Sequence, residues 1–272
     1  MKRIIFTDLD GTLFNSKNEI SQENLDTLHT LGRKGITRVI VTGRSLLSAT
    51  AVLPKEFPLD FLIFSSGAGV FHHRTGKILS KKEIDADTVQ EVIKYLNELD
   101  VDYMIHEPIP NNHIFDYVKS SKPCADARRR IKIYDTFAKP LEGKYIGTAT
   151  QLLAIVGKDK SHLVDHAIEN LENLSIIRAT SPLDHKSIWI EIFPKGVDKG
   201  YACKKVIKNL GYRPDEVLVI GNDFNDLGML EAFEDSFVVR NAHQDLKDRF
   251  KVVESNDNNG FTEMVERFFK IH

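Results

Sequence analysis

Cysteine is almost absent from this chain: Cys124 and Cys203 are the only 2 in 272 residues, far apart and in no CxxC pair. That excludes a disulfide framework and a thiolate metal site, and it fits a reducing compartment. Long apolar runs are missing too. Nothing approaches the roughly 20 residues of a membrane span, and the short apolar run after Met1-Lys2-Arg3 is too brief for a secretory core, so a cytoplasmic protein is expected. An excess of one charge is lacking as well. The 37 basic residues against 39 acidic ones leave a formal net of −2, which gives no electrostatic case for a nucleic-acid or membrane partner. Repeats and low-complexity tracts are not found, and the length suits two modest domains.

What the chain does have is an alternation of short β-branched runs and helical periodicities. Residues 4–7, 37–42 and 61–65 read as strands, with a helix at 21–34 between the first two. In that helix Leu25, Leu28 and Leu31 share a face, Ser21 is a good N-cap and Gly35 supplies the stop. The run "TRVIVT" is apolar with little alternation, as expected for a strand covered on both sides. The same rhythm returns in "EVLVIGND" and "DSFVVRNA". Together these predict an α/β fold with a doubly wound parallel sheet, a Rossmann-like core. Between Gly76 and Phe193 the character changes: strands come in pairs about helices at 87–99 and 160–171, around an irregular stretch with Pro123, Pro140 and Gly143. An inserted α+β domain with its own sheet is expected at 79–191, with the core formed by 1–78 and 192–272.

Ligand sites on open α/β sheets lie beyond the carboxyl ends of the strands. There the chain places Asp8 and Asp10; then Thr42, Gly43 and Arg44; and, after "EVLVI", the run "GNDFNDLGML" with Asn222, Asp223, Asn225 and Asp226. Lys199 adds a separate hint. Asp198 reads as an N-cap and 201–210 as helical before Gly211, so this ammonium falls in a first turn, where the helix dipole disfavours it. If the runs are parallel neighbours, these groups converge on one pocket. Each also has a plainer reading. An Asp-x-Asp can be a solvated strand end, Thr42 and Arg44 can be turn residues about Gly43, and Asn225 and Asp226 can cap the helix bearing Leu230 and Phe233. Gly67-Ala68-Gly69 invites a dinucleotide reading, but His72 stands where the third glycine belongs. His72 and His73 read as surface turn residues before Gly76, Trp189 as core of the insert, and Arg128 to Arg130 as a solvated face or a clamp for a second anionic group.

Four motifs in order carry a resemblance that covers nearly the whole chain. "DLDGTL", "VTGR", the lysine of "KGVDKGYA" and "GNDFND" resemble those of the haloacid dehalogenase-like superfamily, in particular its Cof-type phosphatases with a large inserted C2-type cap. The resemblance implies a Mg²⁺-dependent phosphatase for a small phosphorylated metabolite, often a sugar phosphate. Asp8 is then the nucleophile that forms an aspartyl-phosphate and Asp10 the acid and base, its proton affinity raised by crowding. Thr42 and Lys199 hold the phosphoryl group, and Gly43, Arg44, Ser66, Gly67 and Asn225 contact substrate. Mg²⁺ falls to Asp8, the Asp10 carbonyl and the fourth motif, from Asn222, Asp223 and Asp226. Two departures stand out: Asn222 occupies the family's usual aspartate position, and Ser66 replaces the usual asparagine. Hinges are expected near Gly76 and Pro194, and specificity in "HEPIPNNH" and "RATSPLDHK". Three rivals are a phosphomutase using the same intermediate, a catalytically lapsed binding module, and a signalling receiver, which would be about half this length and lack the insert.

Overall fold

The computed structural model describes residues 2–269. Its strands are β1 (Ile4–Asp8), β2 (Thr37–Val41), β3 (Phe61–Phe64), β4 (Gly69–His72), β5 (Lys77–Lys81), β6 (Asp102–His106), β7 (Phe115–Val118), β8 (Ala138–Pro140), β9 (Gln151–Val156), β10 (Leu174–Thr180), β11 (Ile188–Pro194), β12 (Val217–Gly221), β13 (Ser236–Val239) and β14 (Lys251–Val253). The helices are α1 (Gln22–Arg33), α2 (Leu46–Val52), α3 (Ala86–Glu98), α4 (Ala125–Ile133), α5 (Leu163–Asn170), α6 (Lys199–Leu210), α7 (Leu227–Ala232), α8 (Gln244–Lys247) and α9 (Gly260–Glu266). The chain divides into two compact units. One takes the residues up to Arg44, Ala49–Ser80 and those from Asp198 on; the other takes Ser45–Ser48 and Lys81–Val197.

The first unit is built on a sheet ordered β14-β13-β12-β1-β2-β3-β4-β5. Pairing is parallel from β14 through β3. β1 is buried along its whole length, which explains why its sequence shows no alternation. From β1 the chain winds outward through β2 and β3, and from β12 it winds the other way through β13 and β14. The strand order therefore reverses between β1 and β12, and ligand sites of open α/β sheets open at such a reversal. α1 begins at Ser21, whose hydroxyl accepts the Asn24 amide at 3.1 Å, as the capping pattern predicts.

Two readings on this unit are corrected. On α1 the buried positions are Asn24 and Thr27 with Leu28 and Leu31, while Leu25 is only partly covered. A polar seam explains this: Thr27 and Thr262 hydroxyls meet at 2.8 Å and Asn24 bonds Thr262, so α9 packs through hydrogen bonds there. The surface turn expected at His72 and His73 holds only in part: His72 ends β4, which runs antiparallel to β3, and His73 opens the turn that follows. His73 is buried, its Nε2 2.9 Å from the Pro54 carbonyl oxygen.

The second unit carries its own sheet, ordered β10-β11-β9-β6-β7-β8, antiparallel except for β7 with β8. One face packs Val89, Val92 and Leu96 of α3 and Leu163, Val164 and Ala167 of α5 against Tyr103, Leu152 and Ile190. The other face holds Met104, Phe115, Leu153, Ile155 and Trp189, the last as expected for a core tryptophan. The stretch read as irregular contains α4. Its three arginines do not act alike: Arg128 and Arg129 are exposed, whereas the Arg130 guanidinium lies 4.6 Å from the Trp189 ring and 4.9 Å from Tyr134. That stacking is a cation–π seat in the unit's own core. Both cysteines are free, and no helix among the described residues is long and apolar enough to cross a membrane.

Candidate active site

Asp8 ends β1, and the ladder fixes what surrounds it. It pairs with Val41, one residue before Thr42, while Thr7 pairs with Ile220, one before Gly221. Three strand ends thus bring the first, second and fourth motifs to one edge. Lys199 comes from α6, whose N-cap is Asp198, accepting the Tyr201 amide at 2.8 Å. The first-turn placement read from the sequence is therefore what the fold contains.

Counterions explain how a lysine with no exposure at all persists in that turn. Its Nζ donates to Asp8 Oδ1 at 2.7 Å and to Asp226 Oδ1 at 2.6 Å, with Asn225 Oδ1 at 3.4 Å. Burial opposes the charge, but Asp226 and Asp8 outweigh it and hold the ammonium's pKa above the ordinary lysine value. Asp226 is equally buried, and its second oxygen accepts the amides of Asn222 at 2.8 Å and Asp223 at 3.1 Å. One carboxylate therefore fixes both the lysine and the loop after β12. Room for it depends on Gly221, where an added Cβ would fall 2.6 Å from the Asp226 carboxyl group.

At Asp8 desolvation dominates, and the neighbouring Asp226 adds to it; together they push the acid up to about 7 despite Lys199. Burial more than crowding thus raises the proton affinity of Asp8. Lys199 anchors one Asp8 oxygen, and among the described residues no hydrogen bond reaches the other. Asp10 points elsewhere. Arg44 grips it as a fork, Nε to Oδ2 at 2.8 Å and Nη2 to Oδ1 at 2.6 Å. Thr42 is buried and its hydroxyl accepts the Arg44 amide at 3.1 Å, leaving its own hydrogen to donate.

The other expected residues divide. Gly43 lies in the bend between Thr42 and Arg44. Ser66 has no exposed surface, sits at φ 51 and donates its amide to the Thr42 carbonyl at 3.1 Å. It braces the second strand end through its backbone. Gly67, at φ 107, passes so close to α6 that a Cβ would lie 2.5 Å from the Asp198 carbonyl oxygen. Asp223 is turned to its own turn: Oδ1 accepts the Phe224 amide at 2.8 Å and lies 3.3 Å from His243 Nε2. Asn222 lies against the loop after β1, its Nδ2 2.6 Å from where a Gly11 Cβ would stand.

No group of three or more His, Cys, Asp or Glu side chains among the described residues is arranged to hold a metal ion. The four expected acidic ligands are therefore not gathered as one carboxylate cluster. Asp226 serves Lys199 and two amides, Asp10 serves Arg44, and Asp223 caps a turn. Of the expected ligands this leaves Asp8 itself, the main-chain carbonyl of Asp10 and the Asn222 amide. These are hard oxygen donors with few charges, a set that fits a cation keeping several waters.

The chain matches the haloacid dehalogenase-like hydrolase family over residues 5–265. It belongs to that family. Family membership makes it a hydrolase, with the fold expected from its motifs. Phosphatase YwpJ of Bacillus subtilis is 25% identical over 97% of this chain and 99% of its own length. A chloroplastic protein of Arabidopsis thaliana called endoribonuclease YBEY is 28% identical over 97% of this chain, which spans only 46% of that longer protein. Among solved structures, the subclass IIB sugar phosphatase BT4131 of the family is 19% identical, covers all of both chains and has a TM-score of 0.78. That likeness is one of fold.

Sequence reading overlooked three contributors. Gly221 gave no signal because its role is the absence of a side chain. Asn241, whose Nδ2 donates to the Gly11 carbonyl at 2.8 Å, and Asn256, which donates to the Phe14 carbonyl at 3.0 Å, lie far along the chain from the first motif. The polar run "NDNNG" at 256–260, between apolar segments, was the available clue.

Proposed function

We propose that this chain is a Mg²⁺-dependent phosphatase that hydrolyses a small phosphorylated metabolite, a sugar phosphate in the first instance, through an aspartyl-phosphate on Asp8. One observation carries the reading: an almost buried carboxylate with one oxygen held by a buried lysine and the other unengaged by the chain. A group so placed is oriented for attack.

In the first step an Asp8 oxygen bonds to phosphorus as the ester oxygen leaves, taking a proton from Asp10. In the second, Asp10 accepts a proton from water, whose oxygen bonds to phosphorus while the Asp8–phosphorus bond breaks, releasing inorganic phosphate. Lys199 holds Asp8 and offsets charge on the phosphoryl group, and Thr42 donates its hydroxyl hydrogen to a phosphoryl oxygen. Arg44 holds Asp10 until substrate arrives, and Asn225 stands beside Lys199 to contact the substrate. Mg²⁺ would be held by Asp8, the Asp10 carbonyl and Asn222, where it would offset the repulsion between carboxylate and phosphate. The unit Lys81–Val197 would be the cap that selects substrate, within the cytoplasm. The names of the relatives YwpJ and BT4131 support the phosphatase reading.

The test is a screen of phosphorylated metabolites and a chromogenic phosphate ester, with and without Mg²⁺. Release of phosphate that needs Mg²⁺ and no added acceptor supports hydrolysis over phosphoryl transfer. No release from any ester with Mg²⁺ present would sink the reading.

A further inference from the structure

The loop that leaves the nucleophile strand is tied down from the opposite end of the chain. After Asp8 it turns sharply: the Leu9 carbonyl accepts the Phe14 amide at 2.8 Å, and Asp10 and Phe14 form an isolated bridge. Gly11, at φ 76, makes that turn possible. The carbonyls of Gly11 and Phe14 both point toward distant residues. Asn241 Nδ2 donates to Gly11 at 2.8 Å and Asn256 Nδ2 to Phe14 at 3.0 Å. These two asparagines are themselves joined, the Asn256 amide donating to Asn241 Oδ1 at 3.0 Å. Asp257 adds a bond to the Ser16 amide at 2.8 Å, and Asn259 one to the Ser21 hydroxyl at 2.6 Å.

Five hydrogen bonds thus connect the run 256–259 and Asn241, directly or through each other, to the segment 11–21. Stability alone does not explain the bond from Asn241 to Gly11, because Asn241 is exposed and water competes for it. Location is more telling. Gly11 shares a peptide bond with Asp10, whose carbonyl is one of the proposed oxygen donors. Fixing the Gly11 carbonyl on one side and Phe14 on the other leaves the Asp10–Gly11 peptide plane little freedom to rotate.

We propose that Asn241 and Asn256 are positioning residues that aim the Asp10 carbonyl at the cation site, acting through Gly11 and Phe14. This rests on the reading above that the Asp10 carbonyl helps to hold Mg²⁺. Residues that orient metal ligands typically change affinity or activity by about 10–100-fold when lost.

The experiment compares the full-length parent with Asn241→Leu, a neutral replacement of similar size at an exposed position. Mg²⁺ binding is measured by calorimetry without substrate, and kcat and KM on a phosphate ester across Mg²⁺ concentrations. Asn241→Leu is expected to bind Mg²⁺ about 10–100-fold more weakly, to recover kcat at high Mg²⁺ and to leave KM nearly unchanged. Asn241→Gln, which keeps the amide, should recover part of the affinity. Thr27→Val, which breaks the buried Thr27–Thr262 pair in another part of the unit, controls for mere loss of stability. It should lower Tm and leave Mg²⁺ affinity alone. Parent-like Mg²⁺ affinity in Asn241→Leu, or equal weakening in Thr27→Val, would overturn the inference, as would a parent that binds no Mg²⁺. A parent that binds Mg²⁺ but cleaves no ester would defeat the proposed function while calorimetry still decides the role of Asn241.

Discussion

Lys199 and Asp226, neither with any exposure to solvent, meet Nζ to Oδ1 at 2.6 Å. The end of β1 and the loop after β12 are tied to that pair. Through the lysine it fixes Asp8, and through the second carboxylate oxygen it fixes the amides of Asn222 and Asp223. A buried charge pair is retained only when both members are fully engaged, and here they are.

Replacing the lysine therefore leaves two buried carboxylates facing each other. Lys199→Met is expected to cost about 3–5 kcal/mol of stability, the usual penalty for removing one member of a buried pair. It should also lower kcat by about 10²–10³-fold, because charge on the phosphoryl group is no longer offset. Urea unfolding and steady-state kinetics check the two effects separately. A variant of parental stability would show that the pair contributes little.

Asp8 gives the protein an unusual acid response. The native state keeps this proton up to about pH 7, the unfolded chain only to 3.8. Between those values the folded protein binds more protons, so this group's contribution to stability falls as pH rises and is fully present only below the lower value. Asp8→Asn cannot titrate. In metal-free buffer its Tm relative to the parent should climb between pH 4 and 7 and then level off, whatever constant offset arises from Lys199 losing a partner. A difference that stays flat over this range would count against the burial of Asp8.

Asn222 places an uncharged amide at the position where the resembled motif leads one to expect an aspartate. Asn222→Asp should strengthen Mg²⁺ binding by on the order of tenfold, since cation affinity grows with ligand charge. The same change should lower Tm without metal, because it adds a carboxylate near Asp8 and Asp10. Calorimetry and a melting curve with and without Mg²⁺ decide this. Unchanged or weaker binding would remove Asn222 from the ligand set.

Gly221 is required for space. A methyl group there would press into the Asp226 carboxyl, so Gly221→Ala is expected to cost about 1–3 kcal/mol. Activity should fall along with stability, since the same carboxylate holds Lys199. Tolerance of alanine at both levels would mean that the loop after β12 yields easily.

Much of this site was legible because strand ends are legible. Asp8, Thr42 and Asn222 stand at or just beyond the ends of apolar-rich runs, and a cation in the first turn of a capped helix marked Lys199. Contacts that depend on facing side chains were not. The Arg44–Asp10 fork joins groups 34 residues apart, and no periodicity encodes it. α4 was passed over because its core contacts come from the small Ala127, Ile131 and a stacked Arg130, too sparse an apolar stripe to stand out beside three consecutive arginines. β4 was missed for a related reason: a four-residue strand flanked by glycine and histidine carries less signal than the turn that follows it. His73, just beyond it, is held by its ring at the Pro54 carbonyl and by its amide at the Asp60 carbonyl, partners that only the folded state supplies.

The most direct check on the account is the covalent state of Asp8 during turnover. Parent protein mixed with Mg²⁺ and a phosphate ester, quenched in acid and digested, should yield the peptide containing Asp8 with one added phosphoryl group by mass spectrometry. Asp8→Asn should show neither that adduct nor phosphate release. Undiminished hydrolysis by Asp8→Asn, or a phosphoryl group found on another residue, would contradict it.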